Sequence, residues 1–371
     1  MSDEEILSTI PLPYIKVADI HDVPDWLHKR AVEQMEQVFI EGNLSDFYES
    51  WNEDVKQNFP YVNFAKQIAQ LEQFYGVVDR IDRAIGAKAH PKVPGVILTF
   101  VICYIENVRM FSLVAYNDKQ EVVEFNYGRC CIYHPPEYIK ETRFERLELS
   151  EDPKIVISRP TKAGDKYPAA FIINMQWQLN VDGRIGYTFI YKDYEYLSSA
   201  NVAFIRGEFT EDMLDAPEPA SAYAAALMQQ LMARSDITDI FIIFQGHGAL
   251  FMNRILRKFG GVIKGAILIN PAAKPLKNFP MVEYDFNQFP EDIPILLLNS
   301  DFDQIVEQEE KDQWIKFTSQ KKNVTIKNYD HCDHMLMPCP QKLEGFEYSA
   351  YEFHMSDVAL RDITTFIRNT K

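Results

Sequence analysis

From about residue 141 to the end, short apolar runs alternate with stretches of helical periodicity, and this rhythm constrains the fold more than any other feature of the chain. The runs fall at 144–149, 155–159, 169–174, 202–206, 240–244, 266–270, 295–299 and 324–329. Helical stretches separate the later ones, at 187–200, 220–234, 249–259, 307–319 and 356–368. A strand that is apolar on both faces must be covered on both. The series therefore predicts an α/β domain over 141–371, a mostly parallel sheet with helices on both faces.

The first 140 residues read differently. Residues 1–30 carry Pro11, Pro13 and Pro24 and no clear period, an irregular lead-in. Val32, Met35 and Phe39 share one helical face, which Gly42-Asn43 stops; Phe47, Trp51 and Val55 share another, and Phe64, Ile68 and Leu71 a third. Long strand-like runs follow at 77–87, 96–106, 108–116 and 121–127, the last two joined by the turn Asn117-Asp118-Lys119-Gln120. Three helices and then an antiparallel meander predict an α+β domain over 31–130. Residues 131–140 serve as a linker, in which Cys130 and Cys131 read as small buried residues at a junction.

Charge and cysteine content narrow the class of function. The 371 residues carry a formal net charge of −16, so nucleic acid and anionic membrane surfaces are not expected partners. Five cysteines are too few, and odd in number, for a disulfide framework, which points to a reducing, cytoplasmic setting. The first residues are acidic where a signal peptide would be basic. The longest apolar run, 96–105, is half the length of a membrane span, so no membrane insertion is expected. The sequons at Asn43 and Asn323 read as chance matches.

The segment "DITDIFIIFQGHGALFMNRIL" holds a strand, a tight turn and a helix, the setting of a nucleophile elbow. It resembles the elbow of α/β-hydrolases of the dienelactone-hydrolase and serine-esterase kind. Gly246 and His247 match the Gly-His opening of that motif, Gly248 takes the serine position, Ala249 follows it, and Leu250 replaces the closing glycine. The resemblance extends over 141–371. It implies an acid loop after the 295–299 run, pointing to Asp303, and a histidine loop after the last strand, pointing to His334, with His331 as the alternative. It also implies an oxyanion turn after 169–174. There the chain reads Asn174-Met175-Gln176-Trp177, with no glycine to bend the backbone toward a substrate. Arg206 stands where many relatives carry an aspartate.

Acyl transfer in this fold needs a side-chain nucleophile that the histidine can deprotonate, and glycine supplies none. A glycine can still hold the turn, because it enters strained backbone conformations at no steric cost. The positions Gly248, Asp303 and His334 thus form a degenerate triad. Asp303 has a second reading as the N-cap of the 307–319 helix, and the Asp303–His334 pair a second one as a structural pin between loops. His331, Cys332, Asp333, His334 and Cys339 include metal-ligand types, but at no recognised ligand spacing, so neither metal nor cofactor is expected. The residues between 270 and 295 are too few for a helical lid. The acidic loop 208–219 and the tyrosines 187, 191, 194 and 196 read as surface features, the tyrosines half-buried or forming a binding patch.

The N-terminal region, with its element order over 31–127 and the phrase "VFIEGNLSDFYESWNEDVK", resembles the nuclear-transport-factor-type, or SnoaL-like, cone fold. That family includes enzymes, ligand carriers and dimerisation modules, so the likeness fixes no activity. The expected function is a non-catalytic pseudohydrolase, a structural or protein-interaction component of a larger intracellular assembly. The alternative is a weak hydrolase of small ester or acyl substrates that uses Asp303 and His334. Protein partners are expected, and a small-molecule ligand in either domain is left open.

Overall fold

The computed structural model describes residues 6, 10, 25–89, 93–130, 133–151, 153–161, 166–174, 181–185, 188–208, 213, 218–275, 282–343 and 353–370. Met175, Gln176, Trp177, Tyr187 and Cys131 lie outside them. The chain divides into two compact units, Met1–Ile132 and Tyr133–Lys371. Among the described residues, no helix is long and apolar enough to cross a membrane.

The first unit opens with helices α1 (Asp25–Phe39), α2 (Leu44–Glu49), α3 (Glu53–Asn58) and α4 (Tyr61–Tyr75). An antiparallel sheet follows, with β1 (Arg80–Ala89), β2 (Ile97–Ile105), β3 (Val108–Tyr116) and β4 (Val122–Arg129) in sequential order. Period-2 alternation divides the strands between two cores. Val101, Cys103, Met110, Val114 and Tyr116 pack against Leu27, Met35, Phe47, Trp51, Phe64 and Ile68 of the helical layer. Leu98, Phe100, Ile102, Phe111 and Leu113 form a second cluster on the other face. The expected helix through Phe47, Trp51 and Val55 is broken. Asn52 caps α3 by accepting from Asp54 N–H (3.0 Å), while Trp51 leaves the helix to bridge Val122. A capping side chain and a strand partner there outweigh continued helical periodicity.

The second unit is built on an eight-stranded sheet. Its strands are β5 (Phe144–Glu151), β6 (Lys154–Pro160), β7 (Tyr167–Asn174), β10 (Ala203–Gly207), β11 (Ile237–Gln245), β12 (Ile263–Ile269), β13 (Ile295–Ser300) and β14 (Val324–Tyr329). A two-stranded hairpin, β8 (Arg184–Ile185) and β9 (Thr188–Phe189), lies apart from it. The order is β14-β13-β12-β11-β7-β10-β6-β5. All neighbours run parallel except at β6, which is antiparallel to both β10 and β5.

The central strand β11 shows why both faces are apolar. Ile240, Ile242 and Phe244 join one core, and Phe241 and Ile243 the other. Helices α7 (Pro219–Met232), α8 (Met252–Phe259) and α9 (Gln308–Thr318) cover the first face through Leu227, Ile255 and Trp314. Helices α5 (Ile190–Asp193), α6 (Glu195–Ser199) and α10 (Asp357–Asn369) cover the second through Tyr191, Leu197, Leu360 and Ile363. This is the α/β architecture expected of the region.

Two helices depart from expectation. The stretch expected as one helix over 187–200 is, from 188 on, a strand of the hairpin followed by the two short helices α5 and α6, because Phe189 pairs with Arg184. Tyr191 and Tyr194 are fully buried there, so they form no surface patch. The 249–259 helix starts as a 3-10 segment over Gly246–Phe251 and becomes α-helical only at Met252. Arg206 is buried as well. It donates to Glu195 (2.7 Å) and Ser158 (2.8 Å), and Arg146 meets the same carboxylate.

Candidate functional site

Because β7, β11, β12, β13 and β14 run parallel, the loops at their carboxyl ends collect along one edge of the sheet, the usual place for a site in an α/β fold. Side chains at those strand ends tie the loops together. Asn174 donates to Gln245 (3.2 Å), and Gln245 donates to the Sδ of Met335 (2.9 Å). Asn270, in the left-handed region at φ +43°, donates to Ser300 Oγ (2.8 Å) and to the His334 carbonyl (2.9 Å). Ser300 Oγ donates in turn to the Asp333 carbonyl (2.8 Å).

Asp303 and His334 meet inside this network. His334 Nδ1 lies 3.0 Å from Asp303 Oδ1, and both side chains are fully buried. The same carboxylate oxygen accepts from Ile305 N–H (2.8 Å) and Val306 N–H (3.0 Å). Burial alone would raise the Asp303 carboxyl. The neighbouring imidazole and these two N–H groups outweigh it and hold the group below the usual carboxylate range. Asp303 is not a helix cap, since α9 begins after Glu307. On the far side of the pair, His334 Nε2 and Asp303 Oδ2 are buried and without a hydrogen-bond partner among the described residues. His331, the alternative histidine, sits in the left-handed region at φ +56° and packs edge-on against Phe302 (4.9 Å).

The turn after β11 corrects the register expected from sequence. The left-handed residue is Gly246, at φ +54°, and not Gly248. At Gly248 a Cβ would stand 2.1 Å from the Ile173 carbonyl oxygen of β7, so glycine is required there by close approach. A strained left-handed residue followed two positions later by a close-packed glycine is the local geometry of a nucleophile elbow. In that geometry the reacting residue would stand at 246, two positions before the one read from sequence. Both positions are glycine, so neither offers a hydroxyl or thiol.

Between them, His247 is buried. Burial first, and then the charge of nearby His334, push its imidazole down to about 4, with Asp303 opposing. Ala249 is fully buried. Among the described residues, no group of three or more His, Cys, Asp or Glu is placed to hold a metal ion. Cys332 and Cys339 are buried free thiols, pushed up to about 12 and about 11 by burial, which leaves little thiolate for nucleophilic attack.

Two charged residues of this region carried no signal in the sequence. Lys311 on α9 is buried and donates to the Ser300 carbonyl (3.1 Å); burial lowers its ammonium while Asp303 opposes. Glu310 accepts from Ala273 N–H and Lys274 N–H (both 2.7 Å), fixing the loop after β12. Both sit in a helix whose charge pattern reads as a solvated face.

No protein-family model and no curated protein matches the chain. Solved structures similar to it include hydrolases and esterases. Est1E from Butyrivibrio proteoclasticus is 13% identical, with 61% of this chain and 98% of that chain covered at a TM-score of 0.40. A truncated carbohydrate esterase from gut microbiota is 12% identical, covering 64% and 99% at a TM-score of 0.44. An α/β serine hydrolase without a lid from Xanthomonas campestris is 12% identical, covering 62% and 95% at a TM-score of 0.38.

Proposed function

We propose that the second unit is a hydrolase-type fold that does not perform acyl transfer and that serves, with the N-terminal α+β unit, as a structural or protein-interaction component of a larger assembly. The observation that carries this reading is the state of His334. Its Nδ1 is held by Asp303 as in a catalytic relay, yet its Nε2 is buried and has no partner among the described residues. A histidine acting as general base presents that nitrogen to a hydroxyl, a thiol or water at the substrate. The turn carrying His247 offers glycine at 246 and at 248. With no hydroxyl or thiol offered to it among the described residues, the pair is left with a mechanical role: it joins the loop after β13 to the loop after β14. The N-terminal unit, read as a SnoaL-like module, would supply a second building block.

Turnover of p-nitrophenyl acetate tests this. The protein should hydrolyse the ester no faster than buffer containing an equal concentration of imidazole. His334→Ala should leave that rate unchanged while destabilising the fold by about 3 kcal/mol, since it strands a buried carboxylate. Turnover well above that background, abolished in His334→Ala, would contradict the proposal. Such a result would favour the second reading, weak hydrolysis by water activated at the Asp303–His334 pair, which the 3.0 Å contact supports.

A further inference from the structure

Among the described residues, the eight-stranded sheet ends at β14, which pairs only with β13. Ile295 N–H donates to the Asn323 carbonyl, and Asp301 N–H to the Tyr329 carbonyl. The odd-numbered residues of β14 therefore direct their N–H and C=O toward β13. By alternation, Val324, Ile326 and Asn328 direct theirs away from the sheet. No described residue hydrogen-bonds to those groups of Ile326 or Asn328, and Val324 N–H makes only a long turn bond to the Lys321 carbonyl (3.4 Å). An open edge of this kind is a template for another strand. The lysine that would guard it, Lys327, is drawn onto α10 by Asp362 (2.7 Å).

We propose that β14 pairs with β14 of a second copy of this chain, antiparallel, about a two-fold axis through Ile326. In that register Ile326 faces its own copy and Val324 faces Asn328, and the turns that flank the strand carry Lys322 of one copy toward Asp330 of the other. The facing residues are the ones whose main-chain groups point outward, so each pair is of the hydrogen-bonded type and about six main-chain bonds form across the axis.

The turns just beyond the two ends of the strand select the register and the partner. Lys322 and Asp330 are both exposed, and neither has an ion-pair partner among the described residues. The two-fold axis brings the lysine of each copy against the aspartate of the other, at both ends of the ladder. Moving the axis by one residue slides the turn carrying Lys322 along the edge away from the turn carrying Asp330, and the charge match is weakened. On the opposite side of the strand Lys327 faces Thr325, so no like charges meet. A self-complementary patch of this kind is what an isologous two-fold contact requires. The inference rests on the edge strand alone and stands apart from the reading of Asp303 and His334.

Sedimentation equilibrium of the full chain tests it. The expected result is a reversible monomer–dimer equilibrium. Lys322→Glu should weaken it at least about tenfold, because two opposite-charge pairs become two like-charge pairs. The exchange Lys322→Glu with Asp330→Lys should restore it to within about threefold. Ile326→Cys should give a disulfide-linked dimer under mild oxidation, since the two copies of that residue face each other. A monomer at every concentration overturns the proposal. So does a dimer that Lys322→Glu leaves unchanged, or one that the double exchange fails to restore. A monomer whose edge instead takes up a lysine-rich extended peptide also overturns it, in favour of a different partner.

Discussion

A methyl group on Gly248 would have to share space with the carbonyl oxygen of Ile173, 2.1 Å away. Gly248→Ala should therefore cost about 3 kcal/mol, because the oxygen belongs to the central strand β7 and cannot move aside. Gly246 carries a different constraint, a left-handed backbone at φ +54°. Gly246→Ser should cost only about 1–2 kcal/mol. Urea titration of the two variants separates a steric requirement from a conformational one and tests the corrected register of the turn. Asp333 offers a pH test. Burial lifts its carboxyl to about 6 against N–H bonds from Met337 and Met335. Its neutral form favours the fold, so its contribution is complete below the ordinary value of 3.8 and is lost as pH rises through about 6. Asp333→Asn cannot ionise and should be more stable than the natural protein at pH 8, by up to about 3 kcal/mol, and equal to it at pH 4. His247, depressed from 6.5 to about 4, acts the other way. Its contribution is complete above 6.5 and is lost as pH falls through about 4. Thermal unfolding of Asp333→Asn and the natural protein at both pH values isolates the aspartate.

At the level of elements, the strands were legible in the sequence and the interruptions were not. Apolar runs mark a strand buried on both faces wherever it occurs, which is why β11 and β13 stand out. The break at Trp51 depends on Val122, a residue far along the chain, and the end of the 187–200 stretch depends on pairing of Phe189 with Arg184. No local pattern carries such contacts. The meeting of Asp303 with His334 could be anticipated from the resemblance, because strand ends in a parallel sheet converge. The register of the turn could not, since "GHG" offers two glycines and only the backbone shows which is left-handed. Lys311 was hidden because a buried lysine looks like any other lysine in a helix. In the first unit, Gln34 links three elements: it accepts from Tyr116 Oη (2.6 Å) on β3 and donates to Ser50 Oγ (3.0 Å) beyond α2. Gln34→Leu leaves that buried hydroxyl unpaired and should destabilise the unit by about 1–3 kcal/mol in chemical denaturation.

For the whole molecule, each unit has its own core: one is built from the α1–α4 layer and the antiparallel sheet, the other from helices on both faces of the eight-stranded sheet. Residues 133–371 produced alone should therefore unfold in a single cooperative transition; a broad, non-cooperative melt would show that this unit needs the other. The most direct test of the account is covalent. The intact protein is incubated with an alkyl fluorophosphonate, which phosphonylates an activated serine or other nucleophile beside a working base, and its mass is then measured. The expected result is an unchanged mass. A stoichiometric adduct that disappears in His334→Ala would contradict it and would locate a nucleophile served by that histidine.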